Sequence, residues 1–194
     1  AAQQSLEQIQ SAVDHGRAVI ADVAAVTEGR EEGGANIDFA ALIEQVQRLL
    51  LVRLPRTVTL HPELTQAPTG FYAAPGHLRQ ILINLVDNAI RAGARVIQLH
   101  VSGLDIDNDN RMAGGPPVRE GRYVALTVAD DGHGVREEHR ARLFEPFFTT
   151  AADGGGTGLG LPIVKSLADR YHGTVTVESE VNVGTRVSVF LRSD

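Results

Sequence analysis

Hydrophobic positions recur every three or four residues in several parts of the chain, and this spacing predicts helices with one apolar face. The segments are residues 5–27, 39–50, 75–92 and 161–171. Asp38 stands where the second helix needs an N-cap, and Pro75 stands in the first turn of the third, where proline is tolerated. Glycines between residues 29 and 34 indicate a linker after the first helix.

Other segments have the alternating or continuous apolar pattern of β-strands. They are residues 57–64, 70–73, 95–102, 122–130, 173–179 and 184–191, and the polar stretch 103–121 is predicted to be a long hairpin loop. The order of elements predicts an α+β fold, a two-layer α/β sandwich. We expect a mixed, mostly antiparallel sheet with helices on one face, plus an N-terminal helical arm.

Composition narrows the class of protein. With 194 residues and 43% hydrophobic content, the chain can bury a sizeable core. The net charge of -6 gives no overall basic field, which argues against sequence-independent binding to nucleic acid. The absence of cysteine excludes disulfides and thiolate metal sites. No apolar run approaches the roughly 18 residues of a membrane span, so we expect a cytoplasmic domain, whose parent protein could still be membrane-anchored.

Two asparagines in the segment NLVDNA, Asn84 and Asn88, are four residues apart and share one face of the third helix. Their amide oxygens are suitable ligands for a Mg²⁺ ion that also binds phosphate and water. The alternative is a pair of asparagines on a solvated helix face.

The segment VADDGHG ends a predicted strand with Asp130, followed by Gly132 and Gly134. A carboxylate there could accept a hydrogen bond from an exocyclic amine, and the glycines would let a planar ring approach the backbone. The alternative is an ordinary Asp-Gly turn.

The segment GGGTGLGL leads directly into the last helix. Free backbone amides and the positive end of the helix dipole meet there, which favours an anion such as phosphate. Gly158 and Gly160 would allow the close approach, and Thr157 could add a hydroxyl donor. The alternative is a flexible loop.

Taken in order, these motifs resemble the ATP-binding catalytic domain of sensor histidine kinases, in the superfamily that includes gyrase, the Hsp90 chaperones and the MutL repair proteins. NLVDNA resembles the N box, DDGHG the first glycine box, FEPFFTT the F box and GTGLGL the second glycine box. The resemblance covers about residues 38–194. Residues 1–30 resemble, more weakly, the second helix of the dimerisation and phosphoacceptor hairpin, with residues 31–37 as the linker.

The resemblance implies a role for each motif. Asp130 would recognise the adenine amino group of ATP, and Asn88, helped by Asn84, would hold Mg²⁺ as the catalytic pair. Residues 144–156 would form a mobile lid over the nucleotide. The remaining implied nucleotide-binding residues are Arg91, Gly132, Gly134, Phe144, Phe148, Thr157, Gly158, Leu159, Gly160 and Thr185.

The reaction is also implied by this resemblance. ATP-hydrolysing relatives carry a glutamate base where this chain has Asn84, and a neutral amide cannot accept a proton. Transfer to a histidine is therefore expected, and none of the chain's histidines is followed by the acidic residue typical of an acceptor. The acceptor is expected outside this chain. The implied partners are the phosphoacceptor domain, a response regulator and, in the parent, a second copy of the chain.

The lid departs from the family pattern, because Ala151 replaces its usual lysine. We expect weaker ATP binding, or a transfer of that charge to Arg91 or Lys165. Two other functions stay open on the sequence alone. One is a non-catalytic module that binds nucleotide or docks a response regulator. The other is an anti-sigma-type serine kinase, against which the helical arm argues.

Overall fold

A computed structural model describes residues 33–66, 70–106, 119–150 and 156–193 of the chain. The predicted helical arm, the middle of the 103–121 loop and residues 151–155 of the predicted lid, including Ala151, lie outside these residues. Within the described ranges, no helix is both long enough and apolar enough to cross a membrane.

The helices lie close to their predicted positions. They are α1 (Phe39–Leu51), α2 (Pro75–Arg91), α3 (Glu137–Arg140) and α4 (Gly160–Arg170). Asp38 is the N-cap of α1, and its carboxylate accepts a hydrogen bond from the Ala41 amide at 3.0 Å. The predicted cap is confirmed, whereas the single-turn helix α3 was not predicted.

The strands form two sheets. They are β1 (Ala35–Asn36), β2 (Thr59–Thr65), β3 (Tyr72–Ala73), β4 (Val96–Ile106), β5 (Gly121–Asp130), β6 (Thr174–Glu180) and β7 (Gly184–Arg192). The main sheet has the order β2-β4-β5-β7-β6, with β2 parallel to β4 and the other pairs antiparallel. A small antiparallel sheet joins β1 to β3. Pro62 lies in β2, an edge strand, where its missing amide hydrogen costs least.

Two strand predictions need correction. The predicted loop 103–121 begins too early, because residues 103–106 continue β4 and pair with residues 121–124 of β5. Strand β1 was not predicted, and it lies inside the predicted linker 31–37. Both differences arise from pairing with distant residues, which local composition does not reveal.

The hydrophobic core lies between the main sheet and helices α1, α2 and α4. Strand β5 contributes Leu126 and helix α2 contributes Leu78 and Leu82, all with no exposed surface. Full burial of one such side chain stabilises the fold by about 1.5–3 kcal/mol. The predicted fold class, helices packed on a mixed and mostly antiparallel sheet, is confirmed.

A hydrogen-bonded link joins the start of α2 to the end of α4. The Tyr171 hydroxyl accepts a hydrogen bond from the Ala74 amide at 3.0 Å and lies 2.7 Å from Nδ1 of the buried His77. Ala74 is the N-cap of α2 and provides no side-chain cap itself. Tyr171 therefore satisfies a backbone group that the helix terminus leaves open.

Candidate functional site

A cleft of about 170 Å³ lies between α2, α4 and the main sheet. Its walls include residues of α2, of the loop after β5, of the segment before α4 and of α4 itself. Its apolar lining includes Leu85, Ala89, Leu161 and the valines described next. A mainly apolar cleft with a few polar groups is typical of sites that bind small molecules.

The cleft floor is formed by Val128, Val177 and Val187 of three adjacent strands. Val187 pairs with both other valines, so the three side chains lie in one row on one sheet face. The neighbouring row contains Asp130 and Thr185, which pair with each other and also line the cleft. A flat apolar surface therefore ends at a carboxylate.

Asp130 is partly buried, and its carboxylate is fixed by the backbone. Oδ1 accepts a hydrogen bond from the Gly132 amide at 2.8 Å, and the Thr185 backbone also donates to this carboxylate. Burial raises the pKa of Asp130 above its usual 3.8, and these backbone hydrogen bonds only partly oppose that effect. The cleft thus contains a positioned, partly desolvated hydrogen-bond acceptor.

The adjacent acid, Asp131, has a different role. Its Oδ1 accepts hydrogen bonds from the backbone amides of Arg95 at 2.7 Å and Val96 at 2.9 Å. The Val96 and Arg95 amides lower the pKa of Asp131. Asp131 joins the end of β5 to the start of β4 and does not line the cleft.

The glycines after Asp130 are required by contacts within the protein. A Cβ atom on Gly132 would lie 2.7 Å from the Ala92 carbonyl oxygen, and one on Gly134 would lie 2.1 Å from the Glu180 carbonyl oxygen. Gly134 also has φ +69°, which disfavours residues with a side chain. Close backbone packing therefore explains these glycines, and Gly134 additionally lines the cleft.

The two asparagines of α2 have different environments. Asn88 lines the cleft, whereas Asn84 is 6% exposed and does not. The Asn84 Oδ1 accepts a hydrogen bond from Gln80 at 3.1 Å, and its Nδ2 donates to the Gly160 carbonyl at 3.5 Å. Asn84 therefore connects α2 to the start of α4, beside the Asn88 carboxamide.

The N-terminus of α4 opens into the cleft through Gly158, Gly160 and Pro162. Gly158 has φ +65°, and a Cβ atom there would lie 2.4 Å from the Phe147 carbonyl carbon. The Phe147 amide donates to the Gly158 carbonyl at 2.9 Å, which joins the start of the predicted lid to the helix terminus. A side chain at position 158 would clash with Phe147, and glycine also leaves the helix terminus open to the cleft.

Phe148 is the aromatic residue of the predicted lid that lines the cleft. The Arg142 guanidinium carbon lies 4.3 Å from its ring centroid, and the His139 ring centroid lies 5.7 Å away. Phe144, in contrast, packs against the hydrophobic core. The cation–π contact and the histidine ring keep Phe148 at the cleft edge.

The structure thus brings together most of the predicted site. The predicted residues that line the cleft are Asn88, Arg91, Asp130, Gly134, Phe148, Gly158, Gly160 and Thr185. The other predicted residues, Asn84, Gly132, Phe144, Thr157 and Leu159, lie outside the lining. Thr157 is buried and its hydroxyl accepts from the Leu159 amide at 3.2 Å.

Sequence reasoning missed the apolar part of the site. The valines of the cleft floor were predicted only as strand residues, because their position in one row depends on the register of three strands. Lys165, considered as a replacement for the lid lysine, forms an ion pair with Asp169 on α4 and does not line the cleft. Arg91 does line it.

Comparison with known proteins gives consistent matches. Residues 73–194 match the family described as Histidine kinase-, DNA gyrase B-, and HSP90-like ATPase. Sensor histidine kinase AruS of Pseudomonas aeruginosa is 38% identical over 162 residues, which are 77% of this chain and 15% of AruS. Sensor histidine kinase CpxA of Escherichia coli is 31% identical over 160 residues, which are 80% of this chain and 29% of CpxA. The chain therefore spans less than a third of the length of these two relatives.

Solved structures agree with this assignment. Full-length ShkA, in complex with AMPPNP, has a TM-score of 0.70 and 28% identity, covering 100% of this chain and 40% of ShkA. Acinetobacter baumannii histidine kinase AdeS has a TM-score of 0.66 at 22% identity, covering 97% of this chain and 84% of that chain, and shares the fold. The chain belongs to the histidine kinase-, DNA gyrase B-, and HSP90-like ATPase family.

Proposed function

We propose that this domain binds ATP with Mg²⁺ in the cleft and transfers the γ-phosphoryl group to a histidine outside this chain. In this reaction a ring nitrogen of the acceptor attacks the γ-phosphorus, and the bond from that phosphorus to the bridging oxygen of ADP breaks. The observation that carries the proposal is the polarity of the cleft. A hydrogen-bond acceptor, Asp130, lines the cleft at the end of β5, and Asn88 lines it together with the N-terminus of α4.

Each end of the cleft suits one part of the nucleotide. The Asp130 carboxylate accepts a hydrogen bond from the adenine amino group, while the ring lies on the cleft floor formed by Val128, Val177 and Val187. The free amides at the start of α4 bind phosphate, since the positive end of the helix dipole faces them. Arg91, which also lines the cleft, adds a cation there. Positioning and charge neutralisation are the main requirements of phosphoryl transfer.

The donor set fits magnesium. The Asn88 amide oxygen is a neutral oxygen ligand, and a Cβ atom on Gly160 would lie 3.4 Å from it, so this carboxamide lies against the helix terminus proposed to bind phosphate. Among the described residues, no group of three or more His, Asp or Glu residues could hold a metal alone. Asn88 would therefore share Mg²⁺ with phosphate oxygens and water, and the ion would supply charge neutralisation there.

Asn84 favours transfer over hydrolysis. Its carboxamide is buried and bonded to Gln80 and to the Gly160 carbonyl, and an amide cannot act as a general base for water. Its contribution to catalysis is the placement of Asn88 and of the α4 N-terminus. Asn84 is thus a positioning residue in this proposal.

The proposal extends to the parent protein. Residues 1–30 would be the second helix of a dimerisation and phosphoacceptor hairpin, 31–37 the linker and 38–194 the catalytic domain. The acceptor histidine, a homodimer formed through the hairpin and a response regulator that receives the phosphoryl group complete the pathway. A cytoplasmic location for this domain, in a parent that is membrane-anchored or not, agrees with its use of ATP.

Phosphoryl transfer can be tested with a separately produced hairpin that carries an acceptor histidine. Labelled ATP and Mg²⁺ are added to the chain, to Asp130→Asn and to Asn88→Ala, and label on the hairpin is measured. We expect label with the intact chain and at least a tenfold lower rate with either variant, since each loses one polar end of the cleft. Nucleotide binding without any transfer would instead support a non-catalytic, nucleotide-binding module.

A further inference from the structure

Ser179 lies near the end of β6, beside the cleft but outside its lining. It pairs with Thr185 of β7, which in turn pairs with Asp130 of β5. Residues directly opposite each other on adjacent strands point to the same sheet face. Ser179, Thr185 and Asp130 therefore form one polar row next to the cleft floor.

The Ser179 hydroxyl has three polar neighbours. It accepts a hydrogen bond from the Val135 amide at 2.8 Å, lies 3.0 Å from the Gly184 carbonyl oxygen and lies 2.9 Å from the Thr185 hydroxyl oxygen. A carbonyl oxygen can only accept, so the single hydroxyl hydrogen of Ser179 is donated to Gly184. In the third contact Thr185 must then be the donor.

This pattern determines what Thr185 presents to the cleft. Its hydroxyl hydrogen points along the row to Ser179, so only lone pairs of its oxygen are left for a ligand. The neighbouring Asp130 carboxylate, which accepts a hydrogen bond from the Gly132 amide, also offers acceptor oxygens to the cleft. The polar edge of the cleft consists of two adjacent acceptors.

We propose that Ser179 is a positioning residue that sets base selectivity: it accepts the Thr185 hydroxyl hydrogen, so that the cleft selects a purine with an amino group at C6. Two acceptors match the two hydrogens of an exocyclic amine. They repel the carbonyl oxygen that replaces this amine in hypoxanthine and guanine. The inference rests on the proposed function, because it takes the base to lie at Asp130.

The test compares Mg-ADP with magnesium inosine diphosphate, which carries a carbonyl oxygen in place of the adenine amino group. Calorimetric titration gives both dissociation constants for the wild-type chain and for Ser179→Ala. In Ser179→Ala, the Thr185 hydroxyl loses the acceptor of its hydrogen bond, so it can donate its hydrogen to a ligand in the cleft. We expect the preference for ADP over inosine diphosphate to fall about tenfold, as one redirected hydrogen bond of about 1.4 kcal/mol would give.

Two further variants separate this role from general damage to β6. Ser179→Thr keeps a hydroxyl and should restore the preference. Thr176→Ala removes a hydroxyl from the opposite face of the same strand and should leave the preference unchanged. If Ser179→Ala does not fold, Thr185→Val decides, because it removes the paired acceptor while keeping the side-chain shape, and the preference should again fall.

The outcomes distinguish the two proposals. If ADP binds and Asp130→Asn weakens it, but Ser179→Ala keeps the wild-type preference, the role of Ser179 is wrong and the nucleotide site stands. An equal change in Thr176→Ala also overturns the inference. If the wild-type chain does not bind ADP, or Asp130→Asn binds it unchanged, the proposed function fails and the inference fails with it.

Discussion

The link between α2 and α4 allows a sharp test of what holds the two helices beside the cleft. Tyr171→Phe removes one hydroxyl oxygen and keeps the aromatic contacts with Phe71 and His77. The Ala74 amide then loses its hydrogen-bond acceptor, and Nδ1 of His77 loses a hydrogen-bond partner. Ala74 and His77 are 6% and 3% exposed, so water does not readily replace the hydroxyl.

The expected loss of stability follows from the Ala74 amide and Nδ1 of His77, the two groups that lose a hydrogen bond. A buried polar group that loses its partner costs about 1–3 kcal/mol, so we expect the free energy of unfolding to fall by roughly 2–4 kcal/mol. In a domain of this size each kcal/mol lowers the melting temperature by about 2–4 °C, which gives a decrease of roughly 5–15 °C. Urea denaturation followed by circular dichroism measures the change, with an unaltered slope if only stability is affected.

The control is Tyr72→Phe, which makes the same chemical change at a side chain that is 66% exposed. Its free energy of unfolding should change by less than about 0.5 kcal/mol. Because the Tyr171 link lies at the opposite ends of α2 and α4 from Asn88 and Gly160, ADP affinity should stay within about twofold of wild type. A loss below about 0.5 kcal/mol in Tyr171→Phe, or an equal loss in Tyr72→Phe, would refute the reasoning.

Three other predictions concern the cleft and its glycines. Asp130→Asn should weaken Mg-ADP binding roughly 10- to 100-fold in calorimetry, the effect of losing a charged hydrogen bond of about 1.5–3 kcal/mol, while Asp131→Asn, outside the cleft, should change it less than threefold. Because burial raises the pKa of Asp130 above 3.8, ADP affinity should fall as the pH drops toward that raised pKa and the carboxylate is protonated, a decrease that Asp130→Asn should not show. The same shift makes the folded state bind the proton more tightly, so its contribution to stability should be complete below pH 3.8 and be lost as the pH rises through the raised pKa. Gly134→Ala should destabilise the fold by roughly 2–4 kcal/mol, because the cost of a positive φ and the cost of a Cβ atom 2.1 Å from the Glu180 carbonyl oxygen are summed. Gly93→Ala, which has a positive φ but nothing within 4 Å of the new Cβ atom, should cost about 1 kcal/mol. Similar melting temperatures for the two glycine variants would contradict this account.

Periodicity and end signals were sufficient to predict most of the fold. The apolar stripe of α2 and the Asp38 cap of α1 are local properties, and the structure confirms them. Strand β1 and residues 103–106 of β4 depend on pairing with distant segments, so local patterns did not reveal them. The contact between Tyr171 and His77 was not predictable for the same reason, because nothing near either residue in the sequence indicates that they meet.

The candidate site was partly predictable for the same reason. Helical spacing places Asn84 and Asn88 on one face but does not show which one is covered by α4 and which one reaches the cleft. The glycines after Asp130 suggested close approach of a ligand, and the structure shows close approach of the protein's own carbonyl groups. No sequence pattern indicated a role for Ser179, since its contacts depend on the register of three strands.

The distribution of cleft residues along the chain has a consequence for biosynthesis. The lining begins at Leu85 and ends at Val187 in β7, the last strand that the structure describes. A ribosome therefore releases the final part of the cleft only after the earlier helices and strands of this domain have emerged, and a ligand stabilises only a state that it can bind. Nascent chains should gain no protection from ATP against proteolysis until β7 has joined the sheet. Nucleotide would therefore stabilise only completed domains and would not assist earlier folding steps.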